Sequence, residues 1–370
     1  MPHPLVSKFS SSFLDFRESV IQNLFLVCNA IIMGRSTSLS VLKDYLPSLL
    51  ENEQTKSLSH YKRLIRFFRI SKPELLVKCI FKWLYQVLSS KTQYLILDGT
   101  TWEIGDKYVH LLTLCLVYRR IAIPIYWHQL NKKGGHSSQE DRKKLMEDAL
   151  SIFDLSKKIL FADREFIGED WFKFLTDNQI DFVVRVSKTC YKNPVTMAWG
   201  KSHAYLEKKA QKRKSAIGKL FDLNGRKYTF VTTKSTKNDK NEPVLFLVSS
   251  LFDIPQIAHT YKIRWKIETC FRQLKTQGFN LEDLNFKNDK KIILMVAIVI
   301  MAYVLSIYKG LQTSKQTFKR YLNGQKLLAT SVFKQGLTII KSVAWNFSRF
   351  MEMLHEVFFS KPFKKLLLVQ

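Results

Sequence analysis

Two short apolar runs that each end on an aspartate constrain this chain more than any other feature: YLILD at 94–98 and KKILFAD at 157–163. Such a run is too short for an ordinary helix and reads as a buried strand. Buried strands need helices over both faces of their sheet. The chain supplies them. Strand-like runs follow at 108–117 and 121–127, and the Gly134-Gly135 break precedes a helix over 138–153, started by Ser137 or Ser138. Past the second aspartate come a helix near 168–178 and the strand DFVVRVS. Ligand sites in open α/β sheets form beyond the carboxyl ends of the strands. Asp98 and Asp163 are therefore the first candidates for chemistry.

Three strands, helix, strand, helix, strand is the order of a ribonuclease H-like fold, an α/β mixed sheet with helices on both faces. The segments around it differ in texture. Residues 1–90 read as helices only; 91–309 form the α/β domain, with a β-rich insertion at about 187–245; 310–370 form a basic helical tail. Within the first segment, apolar residues recur at helical spacing over 14–32, and Ser38 or Ser40 caps a helix reaching Leu50. The polar break ENEQTKS then precedes SLSHYKRLIRFFR. Two short helices around a polar turn suit a helix-turn-helix-like module. Lys62, Arg63, Arg66 and Arg69 would face phosphates or base edges, with Leu64, Ile65, Phe67 and Phe68 packed inward. An apolar run at 292–307 is short of the roughly 20 residues that cross a bilayer, so a buried core helix is expected there.

Charge narrows the partner. Lys and Arg number 59 against 31 Asp and Glu, a net charge of +28. The excess runs the whole length of the chain, so it points to nucleic acid rather than a membrane surface. The five cysteines are widely spaced with no CxxC pair. They suggest neither a disulfide framework nor a zinc site, and a reducing cytosol fits. The opening residues, MPHPLVSKFSSSF, lack the pattern of a signal peptide.

A third carboxylate comes from a helix expected over 254–277, which contains YKIRWKIETCFRQLK. On a regular helix Tyr261, Arg264, Glu268 and Lys275 fall within an arc of about 60°. Ile263, Ile267 and Leu274 then form a separate apolar face. The polar stripe carries a phenol, a guanidinium, a carboxylate and an ammonium. Three converging carboxylates are how proteins hold magnesium near phosphate.

Together, LDGTTW, FADREF and Y-x2-R-x3-E-x6-K resemble the DDE transposases of bacterial insertion sequences, specifically the insertion-sequence-four family with its Tyr-Arg-Glu-Lys signature. The resemblance covers about residues 93–278, with motif order intact and an inserted β-rich segment before the glutamate. It implies a catalytic trio of Asp98, Asp163 and Glu268 binding two magnesium or manganese ions, which assist in-line displacement at phosphorus. The implied reaction is cleavage at transposon ends, followed by attack of the freed 3′ hydroxyl on target DNA. Tyr261, Arg264 and Lys275 are implied to hold phosphates near the cut. Trp265 either stacks on a base or packs in the core. Trp199, in the insertion, is a candidate for gripping a flipped base. Glu165 lies close to the second aspartate, though Asp163 is the better ligand, and Trp102 packs behind the Asp98 turn. His110, His128 and His136 have no metal-ligand spacing and read as structural. The implied partners are double-stranded DNA, both terminal inverted repeats and target, and a second copy of the chain in a synaptic complex on the nucleoid of a bacterial cytoplasm. A catalytically silent, transposase-derived DNA-binding protein is the alternative.

Overall fold

The computed structural model describes residues 2–88, 92–130, 136–187, 203–212, 215–235, 243–312, 318–320 and 326–359. Contacts divide the chain into two compact units. One comprises Met1–Lys91, Trp102–Tyr108 and Phe271–Gln370; the other comprises Thr92–Thr101 and Val109–Cys270.

The second unit is built on one eight-stranded sheet. Its strands are β1 (Tyr94–Ile104), β2 (Lys107–Tyr118), β3 (Ile121–Leu130), β4 (Ile159–Ala162), β5 (Asp181–Val186), β6 (Ile217–Leu223), β7 (Arg226–Lys234) and β8 (Val244–Ser249), in the order β3-β2-β1-β4-β5-β8-β7-β6. β1, β4 and β5 are parallel neighbours, whereas β2–β3 and β5–β8–β7–β6 pair antiparallel. Two of its helices are α4 (Gln139–Leu150) and α5 (Glu169–Asp177). Ser138 starts α4 through a capping box: its hydroxyl accepts from Asp141 N at 3.1 Å, and the Asp141 carboxylate accepts from Ser138 N at 2.9 Å. The expected alternation of strands and helices is present in this mixed sheet.

The strands of the β-rich segment extend this sheet: β8 pairs with β5 and carries β7 and β6 on. A helix, His203–Lys212, precedes β6. The turn that ends strand β6 carries a hairpin signal in the sequence. Asn224 and Gly225 join β6 to β7 with φ of 50° and 80°, the two left-handed residues that a tight Asn-Gly hairpin requires. Trp199 lies outside the described residues.

The expected continuous helix over 254–277 is corrected. It is an α-helix at Ile254–Thr260, a 3-10 turn at Tyr261–Trp265 and a second α-helix from Lys266 to Leu274. Thr260 Oγ1 donates back to Gln256 O at 2.7 Å, a bond that bends helices. The tighter turn that follows draws Tyr261 and Arg264 inward together, and both are buried.

In the first unit the core is a helix of 24 residues, α9 (Asp289–Gln312), longer than expected and long enough by itself to span a bilayer. Its most apolar window is 89% buried inside the protein, so burial, not length, identifies it as a core helix. It packs against α1 (Glu18–Gly34), α3 (Pro73–Leu88) and α10 (Val332–Ala344). Between α1 and α2 (Ser57–Phe67), the expected single helix to Leu50 is split into Leu39–Leu42 and Leu46–Leu49. Pro47, which tolerates only the first turn of a helix, restarts it. Within α2, Leu64 and Phe67 are buried and Lys62 and Arg66 exposed.

Candidate active site

Register places the site. Leu97 is the partner of Ala162 across β1 and β4, and Ala162 is the partner of Val184 across β4 and β5. The next residue on each strand is Asp98, Asp163 and Arg185. Three charged side chains thus leave three adjacent parallel strands at one level, with neighbouring backbones about 4.8 Å apart. Each aspartate is steadied by the amide that follows it: Asp98 Oδ1 accepts from Gly99 N at 2.9 Å, and Asp163 Oδ1 from Arg164 N at 2.8 Å.

Arg264, from the 3-10 turn, holds the group together. Its guanidinium lies 3.2 Å from Asp98 Oδ2, 3.8 Å from Asp163 Oδ2 and 2.9 Å from Glu268 Oε1. Arg185 stands 3.6 Å from Asp163 on the other side. Only 7% of the Arg264 side chain is exposed, against 40% for Glu268. Burial opposes its charge, but Tyr261, Asp163, Asp98 and Glu268 outweigh that and hold its proton above the ordinary range. Asp98 goes the other way for a carboxylate. Burial pushes it up to about 7 despite the pull of Arg264, with Asp163 and Glu165 adding to the rise. Tyr261 is buried, its hydroxyl 3.4 Å from Ala162 O, and burial raises its pKa.

A fourth carboxylate stands close by. Glu165 accepts from Ser137 Oγ at 3.0 Å and pairs with His136 Nδ1 at 3.2 Å. Arg142 fixes Ser137 through its hydroxyl at 2.9 Å and its carbonyl at 2.6 Å. His110 and Glu165 flank Gly99, where a methyl group would stand in ordinary contact with His110 Nε2 at 3.4 Å and Glu165 Oε1 at 4.0 Å. His110 bonds Thr101 at 2.7 Å, and His128 pairs with Asp148 at 2.8 Å.

The structure therefore brings Asp98, Asp163, Arg264 and Glu268 together, with Tyr261 beside them. Trp265 is half-buried, edge-on to Tyr261 at 6.2 Å. Lys275 pairs with Glu282 at 3.3 Å. Trp102 is buried. Arg185 was not singled out from the sequence. Its signal is a charged residue inside the apolar strand DFVVRVS, where burial is costly without a partner.

The donor set suits a hard divalent cation, because Asp98, Asp163 and Glu268 offer only carboxylate oxygens. As they stand, these carboxylates gather on a guanidinium, and among the described residues no three His, Cys, Asp or Glu side chains stand at ligand spacing. Arg264 Nε is buried with no hydrogen-bond partner among the described residues. An unmet buried donor is costly.

This strand order, with acidic residues at the ends of parallel strands, is compatible with the ribonuclease H-like class of transposase and nuclease domains. Sequence comparison makes the class particular: residues 89–305 match the family model of the transposase DDE domain, and the chain belongs to that family. No curated protein matches it. Transposases act on DNA, and the +28 charge has the sign to meet it.

Proposed function

We propose that this chain is an active cut-and-paste DNA transposase of the insertion-sequence-four group, with Tyr261, Arg264, Glu268 and Lys275 as its Tyr-Arg-Glu-Lys signature. The observation that carries this reading is the sharing of Arg264 by Asp98, Asp163 and Glu268. Asp98, Asp163 and Glu268 would hold two magnesium or manganese ions, which when bound supply Lewis acidity at the entering and leaving oxygens. Arg264 steers the carboxylates in the free protein. Arg185 restrains Asp163. Lys275 and Trp265 extend the contact with the end, Lys275 as a mobile charge and Trp265 as a stacking face. Residues 1–90 serve as a DNA-binding domain, with Lys62, Arg63 and Arg66 toward the duplex. The catalytic residues all lie within 91–309, and 310–370 follow as a basic helical segment. Two copies act together in the bacterial cytoplasm, because two ends must be cut and joined.

A strand-transfer assay with DNA carrying the element's own ends tests the reading. The wild type should join ends to a target plasmid, and Asp98→Asn, Asp163→Asn or Glu268→Gln should each abolish cleavage while leaving duplex binding intact. A chain that binds the ends but neither cuts nor joins them would be the silent derivative instead.

A further inference from the structure

Away from the carboxylates, the first unit holds a concave pocket of about 310 Å³ between the first turns of α1 and the second half of α2, lined by Ser19, Asn23, Arg63, Arg66, Phe67 and Ile70 among others. Two guanidiniums share it. Arg63 is half-buried, and its Nε donates to Asn23 Oδ1 at 2.8 Å, while Asn23 Nδ2 donates to Ser19 O at 2.6 Å. No carboxylate lines the pocket, and neither arginine has an ion pair among the described residues. Burial, and then the charge of Arg66, lower the pKa of Arg63. Two like charges are thus held side by side, one of them partly desolvated, with no protein anion to neutralise them. Arginine forks match the oxygens of a phosphate. By contrast, the part-buried Lys275 of the same unit pairs with Glu282.

We infer that this pocket is a phosphate seat that takes one backbone phosphate of duplex DNA, with Arg63 and Arg66 as its clamp. The inference deepens the DNA-binding reading of the first helices and rests on it. It also changes the part given to these arginines. Asn23 ties Arg63 back toward α1, so the pair fixes the position of the duplex and does not read its bases.

The test uses the full chain, with inorganic phosphate and random-sequence duplexes as probes. Phosphate should raise the melting temperature of the wild type above chloride at equal ionic strength, and Arg63→Gln should remove that rise. Binding of duplexes should lose about one unit from the slope of log affinity against log salt in Arg63→Gln, by a similar factor for every sequence. Should Arg63→Gln fail to fold, Ser19→Asp carries the test. It sets a carboxylate at the second position of α1, where a helix favours one, and it fills the seat from within. Folded Ser19→Asp protein should likewise lose the phosphate response and the unit of slope.

An unchanged slope in the folded variants overturns the inference, even where inorganic phosphate still stabilises, since the pocket would then be a free-anion site. A loss confined to one sequence overturns it too, because the arginines would be reading bases. If the wild type itself shows no salt-dependent duplex binding, the DNA reading has failed, and the seat's link to DNA fails with it.

Discussion

Replacing Asp98 by Asn should make the protein more stable at pH 8, although Asp98 stands at the centre of the proposed chemistry. The acid is pushed from 3.8 up to about 7, chiefly by burial. A carboxylate that holds its proton more tightly folded than unfolded favours the folded state at low pH. As pH rises from 3.8 toward 7 the unfolded chain releases its proton first, so stability falls across that window and is flat above it. Roughly three decades of proton affinity, at about 1.4 kcal/mol per decade, amount to about 4 kcal/mol lost by pH 8. Asparagine keeps the shape and an oxygen for Arg264 but carries no charge to desolvate. The variant should therefore gain about 4 kcal/mol at pH 8, and between pH 5 and pH 8 the gap should widen by about 3 kcal/mol. Urea unfolding at both pH values, with a chelator present, measures each quantity. Magnesium should then narrow the gap, because a cation held by the wild type alone stabilises it alone. Parallel pH profiles for the two proteins, or an Asn variant less stable at pH 8, would refute the claim that Asp98 is held against its preference for water.

Arg264→Gln should cost about 3–5 kcal/mol, since it leaves the Asp98–Asp163–Glu268 group without its buried cation; Lys275→Gln, from a partly exposed pair, should cost at most about 1 kcal/mol. Equal costs in urea unfolding would show that Arg264 does not organise the cluster. Gly336→Ala should destabilise by about 3 kcal/mol or more, because its new carbon would lie 1.7 Å from Ser306 O and force α10 off α9. An unchanged melting temperature would mean that the two helices are not in close contact there.

Local patterns settled what local physics controls. An apolar run that stops at a charge marks a strand end wherever it lies, so Asp98 and Asp163 could be set at the tips of buried strands before any pairing was known. The Asn224-Gly225 hairpin was equally legible, since Asn and Gly enter two left-handed conformations in succession at least cost, yet the basic sequence around it obscured the signal. Other features had no local cause. The level of Asp98 with Asp163 and Arg185 depends on the register of three strands separated by dozens of residues. The 3-10 turn at Tyr261–Trp265 breaks a helix whose sequence alone favours continuity, and there Tyr261 and Arg264 meet partners at the ends of β4 and β1. That the first 91 residues and the last hundred share one compact unit likewise comes from apolar faces meeting across the chain. What the sequence determined by itself was which residues carry charge and where the strands that bear Asp98 and Asp163 end. Tertiary structure alone decided which charges meet, because the cost of burying an ion is met only by partners brought from elsewhere in the chain.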